Sequence, residues 1–232
     1  MKPISMEMPD RLVADVDTLR HDYGRFFAEP LERGYGTTLG NALRRVLLAS
    51  LPGAAVTAVE IEGVPHEYTT VDGVVEDVVQ LVLNLKELRF NSTAERPHVC
   101  RIEHAGAGEI TAADIQCPAD IEVANPDQHI AYVDEGGSLI MNMTVETDHG
   151  FRAASYDDEA HRVIGAIPVD AIFSPVKRAN FTVEATRVGQ QTDFDRLVLD
   201  VWTDSTITPK EALTEAARIL TKHLEIFCDF DE

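Results

Sequence analysis

Three stretches of the chain carry apolar residues at the spacing of an amphipathic helix. The first has them at i, i+3, i+4, i+7 and i+8: Leu39, Ala42, Leu43, Val46 and Leu47. We expect Thr37 or Thr38 to cap the start of this helix, because a side-chain oxygen there can accept from the free backbone N–H groups. Pro52 and Gly53 mark its end.

The second and third stretches are helical by the same criterion. The second follows Asp72-Gly73, and its apolar side comprises Val74, Val78, Leu81, Leu85 and Leu88. The third opens with Thr208-Pro209-Lys210-Glu211, a capping box with proline at the first helical position. Its apolar stripe runs for about four turns and comprises Leu213, Ala216, Ala217, Leu220, Leu224 and Phe227.

Between these helices the apolar period changes to two, which is typical of half-buried strands. Strand faces are predicted at Val59 and Ile61; at Leu139, Met141, Met143 and Val145; at Phe181, Val183 and Ala185; and at Leu197, Leu199 and Val201. A loop over residues 189–195 would join the last two strands as a hairpin. Strands and helices mix without regular βαβ alternation, so the pattern predicts an α+β fold.

Charge changes the picture of possible partners. The 232 residues include 40 acidic and 20 basic ones, for a formal net charge of −20. Such a chain repels phosphate backbones, so we expect no direct nucleic-acid binding. An acidic surface can serve solubility or match basic partners, and composition leaves both open. The three cysteines, Cys100, Cys117 and Cys228, are odd in number and widely spaced, which argues against a disulfide framework or a zinc site. With no signal core or membrane-length apolar run, we expect a cytoplasmic protein.

Motifs that could carry catalysis are incomplete in this chain. The glycine-rich segment 34–40 lacks the lysine of a Walker loop, so its glycines are expected to serve a tight turn and close helix packing. Asp193 and Asp195 resemble a magnesium-binding Asp-x-Asp motif, but Leu197 stands where a third carboxylate is needed. We therefore expect no catalytic residue, no metal and no cofactor.

The first helix has a second face that is not explained by its apolar stripe. At about 100° per residue, Asn41, Arg45 and Leu48 lie opposite the stripe, with Arg44 at its margin. An arginine beside an amide and a leucine suits a protein interface. A solvated helix back with one exposed leucine is an equally open interpretation.

The segment around this helix carries a family resemblance. Residues 30–48 read Pro-Leu-Glu-Arg-Gly-Tyr-Gly-Thr-Thr-Leu-Gly-Asn-Ala-Leu-Arg-Arg-Val-Leu-Leu, which resembles the hallmark segment of the bacterial RNA polymerase alpha subunit. The likeness continues in order through residues 59–68, 83–86, 111–115, 173–176 and 191–197. It therefore spans essentially the whole chain.

The resemblance implies two subdomains and a role in assembly. Residues 1–52 and 179–232 would form a discontinuous dimerisation subdomain, with two helices packed on an antiparallel sheet. Residues 53–178 would form an inserted, mixed and mostly β subdomain. Two copies would pair and then recruit the beta and beta-prime subunits, so the chain would be a non-catalytic component of a nucleotidyltransferase complex in transcription.

The resemblance also implies site residues. A surface for beta is expected at Arg33, Asn41, Arg45 and Leu48. A surface for beta-prime is expected at Lys86, Phe173 and Asp193. The dimer interface follows from the helix stripes as well, because one thin subdomain cannot bury them all. Its expected residues are Tyr35, Leu39, Val46, Leu220, Leu224 and Phe227.

The chain departs from the family pattern in two respects, and two rival interpretations of its function remain open. We expect the small C-terminal DNA-binding domain of the family to be absent, and Gly189 and Gln191 replace the charged residues that the family commonly has there. The first rival is a free-standing homodimeric enzyme that uses Cys100 or a histidine. The second is an acidic regulatory module that binds a small ligand.

Overall fold

The structure is a computed structural model that describes residues 8–94, 96–155, 165–188 and 191–228. The chain divides into two compact units. The end unit combines the chain up to Leu51 with the chain from Ser174 onward, and the middle unit is Pro52–Phe173. Helices and mostly antiparallel sheets confirm the predicted α+β class.

The described helices are α1 (Tyr35–Ala49), α2 (Val78–Lys86) and α3 (Pro209–Glu225), with a 3₁₀ turn at Ala112–Asp114. The strands are β1 (Val13–Ala14), β2 (Tyr23–Leu31), β3 (Pro52–Ile61), β4 (Phe90–Ser92), β5 (His98–Ala105), β6 (Gly108–Thr111), β7 (Ile121–Val123), β8 (His129–Val133), β9 (Ser138–His149), β10 (Phe151–Arg152), β11 (Ile167–Pro168), β12 (Ala171–Ile172), β13 (Val176–Val188) and β14 (Gln191–Thr203).

The end unit is a four-stranded antiparallel sheet in the order β1-β2-β14-β13, with α1 and α3 packed on it. Strands β13 and β14 form the predicted hairpin, but their pairing continues to Val188 and Gln191. The predicted loop over residues 189–195 is therefore wrong for 191–195, which belong to β14. The polar residues in this stretch suggested a loop, yet a strand tolerates a polar residue such as Asp193, which is exposed.

Helix α3 begins as the sequence predicted. The Thr208 hydroxyl accepts a hydrogen bond from the Glu211 N–H at 3.3 Å, and the Glu211 carboxylate accepts from the Thr208 N–H at 3.1 Å. Pro209 takes the first helical position, where its missing N–H costs nothing. The apolar side of the helix enters the core of the unit through Ala212, Leu213 and Ala216.

The middle unit contains a sheet in the order β5-β9-β3-β4-β7, with β11 paired to β3. Strand β9 alternates as predicted, because Leu139, Met141, Met143 and Val145 are all buried. Strand β3 differs, since residues 55–59 are buried continuously and only its end alternates. A central strand covered on both faces loses the period-two pattern.

Helix α2 starts later than the sequence predicted. The Asp77 carboxylate accepts from the Gln80 N–H at 2.8 Å, and this cap sets the first helical residue at Val78. Val74, which was predicted on the helix, instead forms an isolated antiparallel bridge with Val133. The apolar spacing predicted a helix that already includes Val74, but the Asp77 cap fixes the start of the helix four residues later.

Candidate functional site

The start of α1 is held by a residue from β14. Gly34 is the N-cap residue and has a left-handed φ of 92°, and no side chain at that position caps the helix. The Asp195 carboxylate oxygen Oδ2 accepts from the Gly34 N–H at 2.8 Å and from the Gly36 N–H at 3.2 Å. The expected cap at Thr37 or Thr38 is wrong, because the Thr38 hydroxyl donates to the Gly34 carbonyl instead.

Two glycines bring α1 close to β13. A Cβ atom on Gly36 would lie 2.9 Å from Cγ1 of Val183, and one on Gly40 would lie 2.5 Å from Cδ2 of Phe181. Real Cβ atoms essentially never approach so closely, so only glycine allows this packing. The prediction that the glycine-rich segment serves a tight turn and close packing is confirmed.

This glycine contact turns α1 away from the predicted orientation. Its buried residues are Gly36, Gly40 and Leu47, which centre about 70° from the predicted apolar stripe. Leu39 and Val46 therefore lie at the margin of the buried face of α1 and are only half-buried. The i, i+4 spacing of Gly36 and Gly40 was the signal in the sequence that could have shown the rotation.

Because of this rotation, the residues predicted on the outward face of α1 differ in exposure. Asn41 and Arg45 are exposed, as predicted, and so is Arg33 in the preceding turn. Leu48 was predicted to face away from the core, but it is half-buried and packs against the core of the end unit. The Arg44 guanidinium Nε donates to the Ala179 carbonyl at 3.0 Å and ties the helix to β13.

An apolar groove of about 930 Å³ opens in the end unit. Its floor and walls come from the sheet, from the two helices and from Leu12, which precedes β1: Leu12, Ala14, Phe26, Ala28, Leu39, Leu43, Leu197, Leu199, Leu213 and Ala217. Charged and hydroxyl side chains border it, among them Lys210, Arg218, Lys222 and Glu225. The contribution of β1 and β2 to this groove could not be predicted, because both strands lack a clear apolar period.

The residues expected in a dimer interface are all at least partly exposed. Tyr35 is 46% exposed, Leu224 is 55% exposed and Phe227 is 73% exposed, while Leu39, Val46 and Leu220 are half-buried. A second cavity, of about 630 Å³, brings Val46 and Leu220 together with Asn41 and Arg45. Two of the expected dimer residues and two of the expected beta-contacting residues thus line one surface.

The residues expected to contact beta-prime differ in accessibility. Lys86 donates to the Asp170 carboxylate at 3.1 Å on the surface of the middle unit. Phe173, in the same unit, is buried, with the Arg152 guanidinium 5.0 Å from its ring centroid, which leaves its side chain almost no surface for a partner. Asp193 lies in the end unit and is exposed.

A histidine and two glutamates form a charged cluster in the middle unit that the sequence did not indicate. His129 contacts the Glu76 carboxylate through Nε2 and the Glu109 carboxylate through Nδ1, both at 2.9 Å. The hydrogen bond to Glu76, followed in size of effect by the hydrogen bond to Glu109, raises the pKa of His129. Burial alone would raise the pKa of Glu76, but the Tyr132 N–H and His129 outweigh burial and lower it.

Neither a metal-binding cluster nor a membrane-spanning helix occurs among the described residues. Among residues 8–94, 96–155, 165–188 and 191–228, no group of three or more His, Cys, Asp or Glu side chains could hold a metal ion. Asp195, one of the two aspartates of the incomplete Asp-x-Asp motif, instead caps α1. No helix within these residues is long and apolar enough to cross a membrane.

The fold and site define a class of protein with two α+β units, one of which presents an open apolar groove between its helices and its sheet. Known proteins are similar to this sequence over most of its length. Residues 59–174 match the family model described as the RNA polymerase Rpb3/RpoA insert domain. The DNA-directed RNA polymerase subunit alpha of Carboxydothermus hydrogenoformans is 54% identical over 218 residues, covering 94% of this chain and 70% of that protein.

Two further relatives carry the same name. The subunit alpha of Symbiobacterium thermophilum is 51% identical over 99% of this chain and 72% of its own length. That of Rhodopirellula baltica is 48% identical over 98% of this chain and 69% of its own length. The chain therefore belongs to the family of bacterial DNA-directed RNA polymerase alpha subunits, which confirms the predicted family and its role in transcription.

Proposed function

We propose that this chain is a non-catalytic polymerase subunit that pairs with a second copy of itself through the groove and the exposed ends of α1 and α3. The pair then serves as the platform on which the beta and beta-prime subunits assemble. The observation that carries the proposal is the coexistence, on one unit, of an open apolar groove and of protruding apolar side chains.

Self-complementarity supports a second copy of the chain as the occupant of the groove. The groove offers leucine, alanine and phenylalanine walls, while Leu224, Ile226 and Phe227 project from the end of α3 with more than half of their surface exposed. In a two-fold symmetric pair, each copy can insert these side chains into the groove of the other. Full burial of each large apolar side chain contributes roughly 1.5–3 kcal/mol, which favours the pair over two solvated surfaces.

Charge and exposure support separate surfaces for the larger subunits. Arg33, Asn41 and Arg45 are exposed around the start and outer side of α1, where a planar guanidinium can make bidentate hydrogen bonds to a partner. Lys86 and Asp193 are accessible in the middle and end units respectively, and we assign them to the beta-prime surface. With Phe173 buried, a direct contact from its ring is not part of this proposal.

The proposal is tested by placing a charge on the protruding end of α3. Leu224→Glu should convert the dimer to a monomer in analytical ultracentrifugation, because the carboxylate would have to be buried without a partner. Val99→Glu is the matched control, since Val99 is 56% exposed on the middle unit and should leave the dimer intact.

The same two variants test the platform. Wild-type protein and Val99→Glu should capture purified beta and then beta-prime, whereas monomeric Leu224→Glu should fail to form the complete assembly. A folded Leu224→Glu protein that remains dimeric with unchanged affinity would refute the assigned interface. A wild-type dimer that captures neither large subunit would refute the platform itself.

A further inference from the structure

Two of the three cysteines face each other across a pair of extended segments. The Arg101 N–H donates to the Gln116 carbonyl at 2.9 Å, and the Gln116 N–H donates to the Arg101 carbonyl at 2.8 Å. These reciprocal bonds define Arg101 and Gln116 as a hydrogen-bonded antiparallel pair. Cys100 and Cys117, one position further on each segment, are consequently the next residues to stand opposite each other.

Their position suits a covalent bond between the sulfur atoms. The pair next to a hydrogen-bonded antiparallel pair is non-hydrogen-bonded, with Cα atoms about 4.5 Å apart. Disulfides span Cα separations of roughly 4.4–6.8 Å. Directly opposed residues also point to the same side of the sheet, and both cysteines pack against the same core, that of the middle unit. Both are free thiols in this structure.

The two thiols differ in their surroundings. Cys100 is fully buried in β5, whereas Cys117 is only partly buried. Interaction with the Cys117 thiol, together with burial, raises the pKa of Cys100, and interaction with the Cys100 thiol lowers the pKa of Cys117. Cys117 is thus the more accessible sulfur and the one with more thiolate character, which is the form that reacts with oxidants.

We propose that Cys100 and Cys117 form a reversible oxidation site, at which a peroxide converts the opposed thiols into an intrachain disulfide. This disulfide cross-links the middle unit and stabilises it. The fold brings two of the three cysteines together as a reduced pair, whereas Cys228 belongs to the end unit and is exposed beyond the end of α3.

The reaction balances with hydrogen peroxide as the oxidant. The Cys117 thiolate attacks one peroxide oxygen, the O–O bond breaks, and the products are a sulfenic acid and hydroxide. The Cys100 sulfur then attacks the Cys117 sulfur, the S–O bond breaks, and the second oxygen leaves as water once the Cys100 proton is transferred. In total, two thiols and one peroxide give one disulfide and two waters, and a dithiol reductant reverses the change.

The disulfide would close the chain around β6 and the 3₁₀ turn, which lie between the two cysteines. Closing a loop of this size restricts the unfolded chain more than the folded one. We therefore expect oxidation to raise the melting temperature by roughly 5–10 °C, which a dithiol reductant should reverse.

The test treats the full chain with hydrogen peroxide and counts free thiols after denaturation. The three thiols of the wild-type chain should fall to one, with an intact mass lower by about 2 Da and a cross-linked peptide pair containing Cys100 and Cys117. Cys228→Ser is the matched control, and it should retain the cross-link and the increase in melting temperature. Cys117→Ser should abolish both, while its partly exposed position lets the variant fold.

Four results would overturn the proposal. The folded protein could keep all three thiols under peroxide, or cross-link through Cys228. The Cys100–Cys117 bond could form only when the chain is oxidised in denaturant, which would show that the native positions do not permit it. The bond could form in the folded protein without changing the melting temperature, which would show that the disulfide does not stabilise the middle unit.

Discussion

Asp195 caps helix α1 although 161 positions separate it from Gly34. Its Oδ2 atom accepts from the backbone N–H groups of Gly34 and Gly36 at 2.8 and 3.2 Å. A carboxylate at this point satisfies two of the four N–H groups that a helix start leaves without a partner, and it complements the positive end of the helix dipole. The contact makes the position of α1 depend on the β13–β14 hairpin, so the helix and the sheet form one structural element.

The first prediction concerns this cap. Asp195→Ala should lower the free energy of unfolding by about 1 kcal/mol, within the roughly 0.5–2 kcal/mol that loss of an N-cap acceptor costs. Urea denaturation followed by circular dichroism measures the change. Asp193→Ala, two residues earlier on the same strand and exposed, is the control and should change stability by less than about 0.5 kcal/mol. Equal effects of the two substitutions would contradict the assigned role of Asp195.

The second prediction concerns the close contact between α1 and β13. Gly40→Ala places a Cβ atom 2.5 Å from Phe181 Cδ2 and 2.9 Å from Leu197 Cδ1, so the core must shift. Overpacking costs roughly 1–3 kcal/mol, and a central value of about 2 kcal/mol exceeds the gain of about 1 kcal/mol in helix propensity. The variant should therefore be less stable in urea.

A double-mutant cycle isolates that contact. Phe181→Leu removes the ring that the new methyl group meets, so Gly40→Ala should cost less in the Phe181→Leu background than in the wild type. Additive effects of the two substitutions would show that the ring does not limit the approach of α1.

The third prediction concerns pH and His129. Its pKa is raised above the ordinary 6.5 by hydrogen bonds to Glu76 and Glu109. The stability that protonated His129 contributes is fully present below pH 6.5 and is lost as the pH rises through the higher folded-state pKa. The stability difference between wild type and His129→Ala should thus be larger at about pH 6 than at about pH 9.

Denaturation curves at the two pH values measure that difference, with His66→Ala as the control because His66 is exposed on the same unit. Glu76 acts in the opposite sense, because its pKa is lowered. The stability that its ionised carboxylate contributes is lost only as the medium becomes acidic. A stability difference for His129→Ala that stays constant between the two pH values would argue against a charged histidine in the cluster.

The fourth prediction separates Arg45 from its neighbour Arg44. Arg45→Ala should leave the melting temperature almost unchanged, because the side chain is exposed. If Arg45 anchors beta, the substitution should weaken capture of beta by roughly thirtyfold, the equivalent of about 2 kcal/mol. Arg44→Ala should do the reverse, because its guanidinium holds the Ala179 carbonyl of β13. It should reduce stability and leave capture of beta by the folded protein close to normal.

Sedimentation must accompany the binding measurement for Arg45→Ala. Arg45 lines the same cavity as Leu220, which we place in the dimer interface. A variant that loses beta while remaining dimeric supports a separate surface for beta. Loss of the dimer would assign Arg45 to the interface between the two copies, and normal capture of beta would exclude it from the proposed surface.

Features that depend on neighbouring residues could be predicted from the sequence. The start of α3 follows from Thr208 and Glu211, whose reciprocal hydrogen bonds involve only one turn of backbone. The buried face of β9 follows from strict alternation, because successive side chains of a strand point to opposite sides. The outward position of Arg45 followed from helical spacing in the same way, and so did the existence of α1.

Features that depend on the distance between remote segments were decided only by the tertiary structure. The capping of α1 by Asp195 requires the register of the β13–β14 hairpin, and the rotation of α1 requires the approach of Phe181 to Gly40. The opposition of Cys100 and Cys117 requires the Arg101–Gln116 bridge. Apolar periodicity states which side of an element is hydrophobic. It does not state how closely a glycine lets a strand approach, or which remote side chain that approach brings within hydrogen-bond distance.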